Sequence, residues 1–387
     1  MAAALWFTRA MNTFAYGFRP FFLLAGVAAI SLVGSWVSFM FHGGATAAYF
    51  DPLTWHAHEM LFGFAAAMIA GFLLTAVPNW TGEKAHRGAP LLLLTVLWLA
   101  ARVLLFFSNS AAAGLVDLLF YPALLALLLP PLLRKGQTKT LIFVPILVTM
   151  WGANLLMHLQ RWGLAETARA GISLGVGLIL LLIVIIGGRI IPFFTSSATG
   201  NSPRTWPFVE AVAIGSMVIL PLLDAMRAEP GIIGVCALVA CLAHGLRWWG
   251  WSTVKVWRIP LLWVLHLGYL WVIVGLALRV LAAMDWVPAS APLHAFTAGA
   301  MGVLGLGIMS RASLGHTGRP LQPVHATVCS FALVNLATLV RVAGPILGVP
   351  PELAYGLSGC LWCLAFLLFL GVYAPILMGP RADGKPG

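Results

Sequence analysis

The segment Trp55-His56-Ala57-His58-Glu59-Met60 is the densest run of ligating and titratable side chains in the sequence. Imidazole is the commonest protein ligand for heme iron, copper and zinc, so metal binding is the chemistry this segment suggests first. Two helical histidines at i and i+2 point about 200° apart and cannot share one axial position. They reach a common metal only if the helix begins after His56. The ordinary alternative is a pair of interfacial histidines solvated among lipid headgroups. Two further histidines favour a ligand role: His294 opens a later apolar run, and His158, preceded by Met157, closes another. Ligating groups inside apolar segments are expensive to bury and are usually functional. His58 and His294 are therefore candidates for a metal or heme site, with His56 and His158 beside them.

Internal spacing ties these residues together. The three Thr-Gly pairs, Thr81-Gly82, Thr199-Gly200 and Thr317-Gly318, are separated by 118 residues each time, and each closes an apolar stretch. At twice that shift His58 falls on His294, Gly63 on Gly299 and Gly71 on Gly307. Glycines at such positions admit a flat macrocycle or, equally, a neighbouring helix. A second group of histidines comprises His244, His266, His316 and His325. Of these His266 lies deepest in an apolar run, as a further ligand or a satisfied core histidine. Five cysteines, including Cys360 and Cys363 at i and i+3, read as core thiols.

The elements that must position these residues are membrane helices. The chain has 387 residues, 61% of them hydrophobic and 9% charged, with a mean hydropathy of +0.97. A water-soluble domain of this size carries roughly 25% charged residues. Apolar runs long enough to cross a bilayer recur from end to end, which predicts an all-α polytopic membrane protein of about twelve spans, as one membrane domain over residues 1–387. No cleavable signal peptide is expected. With both termini cytoplasmic, sixteen of the 22 Lys and Arg residues fall on the inner side, among them Arg9, Lys135 and Lys139. Arg102, Arg161, Arg169, Arg227, Arg279 and Arg341 fall outside. The net charge of +11 thus reports orientation and excludes nucleic-acid binding as its explanation. Four of the outer arginines, Arg102, Arg161, Arg279 and Arg341, are candidates to meet heme propionates if a heme lies on that side. Arg189 and Arg311, at inner span ends, would suit heme propionates or anionic lipid, and snorkelling to the interface explains them equally well and is the default.

A period of 118 residues covers four spans and gives three repeats, roughly 18–135, 136–253 and 254–377. Three four-helix arcs with pseudo-threefold symmetry would resemble the heme-copper oxidases. No Walker motif, dinucleotide fingerprint or Ser-His-Asp pattern is present.

Five segments carry a more specific resemblance: Phe18 to Phe22 (FRPFF), Trp55 to Phe64 (WHAHEMLFGF), Arg189 to Thr195 (RIIPFFT), His294 to Gly302 (HAFTAGAMG) and Met309 to Arg319 (MSRASLGHTGR). They are similar to the NnrS family. The resemblance covers nearly the whole chain, is strongest over residues 18–82 and 189–319, and fades in the last two spans. It implies a bacterial inner-membrane protein containing heme and copper, made in response to nitric oxide and associated with denitrification and nitrosative stress. In heme-copper oxidases, histidines on helices 2 and 10 hold the low-spin heme, and here those spans carry His58 and His294. Spans 6 and 7, roughly residues 167–191 and 206–224, contain no histidine for an oxidase-like copper site. His56, His158 and Met157 are then the copper candidates, since imidazole and thioether both suit that metal.

The expected function is a heme b and copper protein that binds, senses or reduces nitric oxide, or relieves its damage, at a site in the outer leaflet. A nitric oxide reductase-like oxidoreductase is one form of this. Glu59 is a candidate for proton transfer there, or a solvated interfacial carboxylate. The alternatives are a metal or small-anion transporter, disfavoured because transporters usually show inverted repeats, and an assembly factor for a denitrification enzyme.

Overall fold

The computed structural model describes residues 12–43, 47–134 and 140–385; Arg9, Lys135 and Lys139 lie outside the described residues. Twelve helices in this part are long and apolar enough to cross a membrane. They are α1 (Phe18–Phe41), α2 (Pro52–Thr81), α3 (Ala89–Phe107), α4 (Ala111–Leu132), α5 (Phe143–Arg161), α6 (Ala168–Thr199), α7 (Pro207–Ala225), α8 (Pro230–Trp251), α9 (Pro260–Ala283), α10 (Ser290–His316), α11 (His325–Ile346) and α12 (Pro351–Met378). No strand occurs among the described residues. Helices suit a lipid solvent because every internal backbone group is satisfied within its own segment.

Local chemistry sets the helix ends. Proline opens α2, α7, α8 and α9, where the missing N–H has no intrahelical use. Asp51 caps α2, its Oδ1 accepting from the N–H groups of Leu53 (3.1 Å) and Thr54 (3.0 Å). The Thr-Gly pairs share one terminating device. Gly82, Gly200 and Gly318 adopt φ of 73°, 72° and 70°, a conformation open to glycine at little cost. The preceding Thr81, Thr199 and Thr317 hydroxyls donate to the carbonyls of Val77 (2.9 Å), Thr195 (2.7 Å) and Ser313 (2.6 Å).

The chain folds into two compact units. One contains residues up to Gly175 with Arg311–Leu321 and the chain from Phe366; the other contains Val176–Ser310 and Gln322–Ala365. The divisions fall inside α6, α10 and α12 and in the loop after α10.

In the first unit, Gly71 admits α1 against α2, since a Cβ there would lie 2.8 Å from the Phe22 ring. The Thr75 hydroxyl accepts from the first N–H of α1, at Phe18 (3.1 Å). Arg19 of the FRPFF segment is fully buried and donates from Nη1 to the carbonyls of Leu377 (2.8 Å) and Gly379 (2.7 Å), placing a cation at the negative end of α12. In the second unit α9 packs on α10 through its own glycines: a Cβ on Gly268 would meet Leu304, and one on Gly275 would meet the Phe296 ring. Trp271 Nε1 donates to Asn335 Oδ1 at 3.1 Å.

Candidate metal centre

Helix α2 starts at Pro52, ahead of His56, so the condition for a metal shared by His56 and His58 is not met. The His56 ring stacks on Trp36 at 4.5 Å and 17°, while His58 points into the protein with no exposed surface. Immediately after His58 the helix widens into a π-helical segment, Glu59–Ala65. Such segments are rare and frequently mark functional sites. The Trp98 indole N–H binds the Gly63 carbonyl inside this segment at 3.2 Å.

Three other helices meet His58. Helix α4 supplies Asp117, α5 supplies Asn154 and His158, and α3 supplies Arg102. Ligand atoms of His58, Asp117 and His158 all lie within 4.8 Å of one another, and all three residues are buried. His58 Nε2 is 2.9 Å from Asn154 Oδ1 and 3.2 Å from Asp117 Oδ2, and its Nδ1 is 3.1 Å from Glu59 Oε1. His158 Nε2 is 3.1 Å from the same Asp117 Oδ2. Asn154 Nδ2 donates to that oxygen at 2.7 Å, which fixes the amide with its oxygen toward His58. Arg102 donates from Nη1 to Glu59 at 3.1 Å and from Nη2 to Asp117.

This arrangement is short of positive charge. Two carboxylates, at 1% and 2% side-chain exposure, share one guanidinium. A neutral imidazole has one N–H, yet carboxylate or amide oxygens face both nitrogens of His58. Buried charge requires pairing, and either a proton on His58 or a cation among His58, Asp117 and His158 would supply it. The group can hold a metal ion.

Aromatic rings wall the cluster. Phe50 lies 4.9 Å from the His58 ring and 5.5 Å from His158, and Phe62 lies 5.3 Å from His58. Tyr49, in the loop before α2, is 2% exposed, and its hydroxyl is 3.1 Å from His158 Nδ1. Burial pushes the Tyr49 phenol above its ordinary pKa, so it stays protonated.

The sequence-expected residues fall in different places. His58 and His158 come together, with Glu59 and Arg102 bonded to their cluster. Glu59 is 1% exposed, so it is not the solvated interfacial carboxylate of the alternative reading; the Arg102 guanidinium is what permits its burial. Met157 is buried and packs toward α6, where a Cβ on Gly171 would lie 2.9 Å from its Cγ. Arg161 donates to the Tyr49 carbonyl and lies over the Tyr49 ring at 5.0 Å. A Cβ on Gly63 would sit 3.1 Å from Arg102 Nη1 and from Glu59 Oε2.

In the second unit, Gly299 faces Trp271 and Gly307 faces Val264. Like Gly63 and Gly71, they admit protein side chains. Arg279 pairs with Asp224, and Arg341 lies over the Tyr355 ring at 3.9 Å. The half-buried His294 binds the Ser290 carbonyl through Nδ1 at 2.8 Å and is followed by a second π-helical segment, Ala295–Val303. Each of the two histidines matched by the 236-residue shift thus precedes a π-helix. His266 is fully buried, with Nε2 2.9 Å from the Thr195 hydroxyl and Nδ1 without a hydrogen-bond partner among the described residues.

Sequence reasoning missed Asp117, Asn154 and Tyr49. The available signal was a lone Asp and a lone Asn within apolar spans, each costly unless paired.

Fold and site together define a polytopic helical membrane protein with a buried histidine–carboxylate cluster able to bind a metal. The family described as NnrS protein matches residues 12–381, through α11 and α12 where the resemblance by motif weakens. The chain belongs to the NnrS family. No curated protein matches it.

Proposed function

We propose that this protein acts in the nitric oxide response through a metal ion held by His58, Asp117 and His158. The observation that carries the reading is the convergence of two imidazoles and a carboxylate in a buried cluster one positive charge short. Family membership is consistent with the nitric oxide context. Two imidazoles and a carboxylate suit copper and non-heme iron alike. When bound, such an ion would supply affinity for nitric oxide and one-electron chemistry.

The chain's own residues do the rest. Asn154 orients Asp117, and Arg102 bonds both Asp117 and Glu59. The Phe50 and Phe62 rings exclude water. Glu59, 3.1 Å from His58 Nδ1, is the group placed to exchange a proton with that ring. Nitric oxide partitions into lipid, so access needs no polar channel. Reduction of nitric oxide, simple binding and a role in assembling another denitrification enzyme all use the same site. A transporter would use it transiently.

A b-type heme held by His294 is the other reading. It is favoured by the bond from His294 Nδ1 to the Ser290 carbonyl, the arrangement that orients an imidazole for ligation through Nε2.

The test is metal analysis with reduced-minus-oxidised and nitric oxide difference spectra on detergent-purified protein. His158→Ala should lose the ion of the cluster, and His294→Ala should lose heme. His58→Ala assigns His58 by which of the two disappears. Wild-type protein that binds neither group, from cells supplied with iron, copper and heme, overturns the reading and leaves a transporter. The bacterial inner membrane with both termini cytoplasmic is the orientation expected, and reporter fusions active only outside would refute it.

A further inference from the structure

We propose that Tyr49 is the positioning residue of the cluster: its hydroxyl holds the His158 ring so that Nε2 faces Asp117 and His58, and Gly114 provides the space that lets it do so. The proposal rests on the metal reading above and names the part of the chain that sets His158.

The geometry is specific to the hydroxyl. Tyr49 Oη is 3.1 Å from His158 Nδ1, and the opposite nitrogen, Nε2, is 3.1 Å from Asp117 Oδ2. A metal-ligating histidine nearly always bonds its other ring nitrogen to a fixed partner, which sets the tautomer and the ring angle. A phenol suits both states of this ring. Without an ion, Nε2–H can donate to Asp117 while the phenol donates to Nδ1. With an ion on Nε2, the proton sits on Nδ1 and the phenol oxygen accepts it. Phenylalanine does neither.

Tyr49 is itself held on three sides. Its N–H donates to the Leu105 carbonyl at 3.3 Å. Its own carbonyl accepts from Arg161 Nε, and the guanidinium lies over its ring. This gives Arg161 a local task, that of fixing the loop over the cluster. On the third side stands Gly114 of α4, three residues before Asp117. A Cβ there would meet the Tyr49 hydroxyl and lie 2.7 Å from His158 Nδ1. Any larger residue would drive the two hydrogen-bonded atoms apart.

The experiment uses full-length, metal-free protein in detergent, titrated with Co(II), whose visible bands report ligand geometry. Wild type should bind Co(II), and Tyr49→Phe should bind it ten- to hundredfold more weakly, with a shifted band at saturation. Gly114→Ala, whose Cβ would crowd both the Tyr49 hydroxyl and His158 Nδ1, should also weaken binding. Tyr121→Phe, whose hydroxyl contacts Met150 Sδ at 3.9 Å, should behave as wild type. Thermal unfolding of the metal-free forms identifies any effect that is only structural. Tyr49→Phe with wild-type affinity and spectrum overturns the proposal and leaves the metal site standing, whether or not its unfolding temperature falls. Wild type that binds no Co(II) overturns the site, and the proposal with it.

Discussion

Replacing Arg102 by Met should destabilise the metal-free protein by about 3–5 kcal/mol, the usual cost of removing one partner from a buried pair. The Arg102 side chain is 10% exposed, and those of Glu59 and Asp117 are 1% and 2% exposed. Unit charges at the 3.1 Å of the Glu59 contact attract by roughly 5 kcal/mol at an effective dielectric of about 20. The Asp117 contact adds to this. Against the attraction stands a desolvation cost of several kcal/mol for each ion. Methionine abolishes the attraction and leaves both carboxylates desolvated, so the loss is not offset. Denaturant unfolding in mild detergent measures it. The double variant Arg102→Met/Glu59→Gln should recover a large part, because it removes one of the stranded charges. Added Co(II) should stabilise Arg102→Met more than wild type, since the ion replaces the missing positive charge. An Arg102→Met protein within about 0.5 kcal/mol of wild type, the range of ordinary surface changes, would refute the charge argument.

Two further outcomes follow from single contacts. Thr195→Val removes the hydroxyl bonded to Nε2 of the buried His266 ring and should cost about 1–3 kcal/mol, read as a lower unfolding midpoint; no change would mean that water replaces the hydroxyl. Gly82→Ala and Gly200→Ala should each cost about 1–2 kcal/mol, from left-handed backbone alone. Gly318→Ala should cost more, because its Cβ would also lie 2.5 Å from Asp383 Cγ and disturb the pair with Arg381; three equal losses in unfolding experiments would remove that distinction.

The twelve spans were legible because a lipid solvent writes its demand directly into hydropathy. The Thr-Gly stops were legible because a left-handed turn strongly favours glycine. His58 and His158 stood out as imidazoles in apolar runs, and Arg102 stood out against the charge bias, which its two buried carboxylate partners explain. What brought His58 and His158 together was not legible. Asp117, Asn154 and Tyr49 come from two helices and a loop whose rotations depend on packing, and a single Asp in an apolar stretch carries no record of its partners. The π-helical turns after His58 and His294 were also hidden, because one widened turn barely alters the apolar pattern on either side.

A second polar network shows why the cluster in the first unit reads as a binding site. In the second unit Arg247 grips Glu210 through two bonds, at 2.8 and 2.5 Å, and donates from Nη1 to the Tyr269 hydroxyl at 2.9 Å and the Val184 carbonyl at 3.0 Å. His244 has one nitrogen 2.6 Å from the Tyr269 hydroxyl and the other 3.1 Å from the Ala213 carbonyl. A neutral imidazole satisfies both at once, accepting from the phenol and donating to the carbonyl, and the single carboxylate is matched by the single guanidinium. That network is complete as it stands and reads as structural. The cluster around His58 uses similar parts with one more carboxylate and with oxygens facing both ring nitrogens. It is not burial or the presence of histidine that separates the two, since both networks have these. The difference is one more carboxylate than guanidinium and oxygens at both nitrogens of one imidazole, which leaves room for one more positive charge, a proton on His58 or a cation where His58, Asp117 and His158 converge.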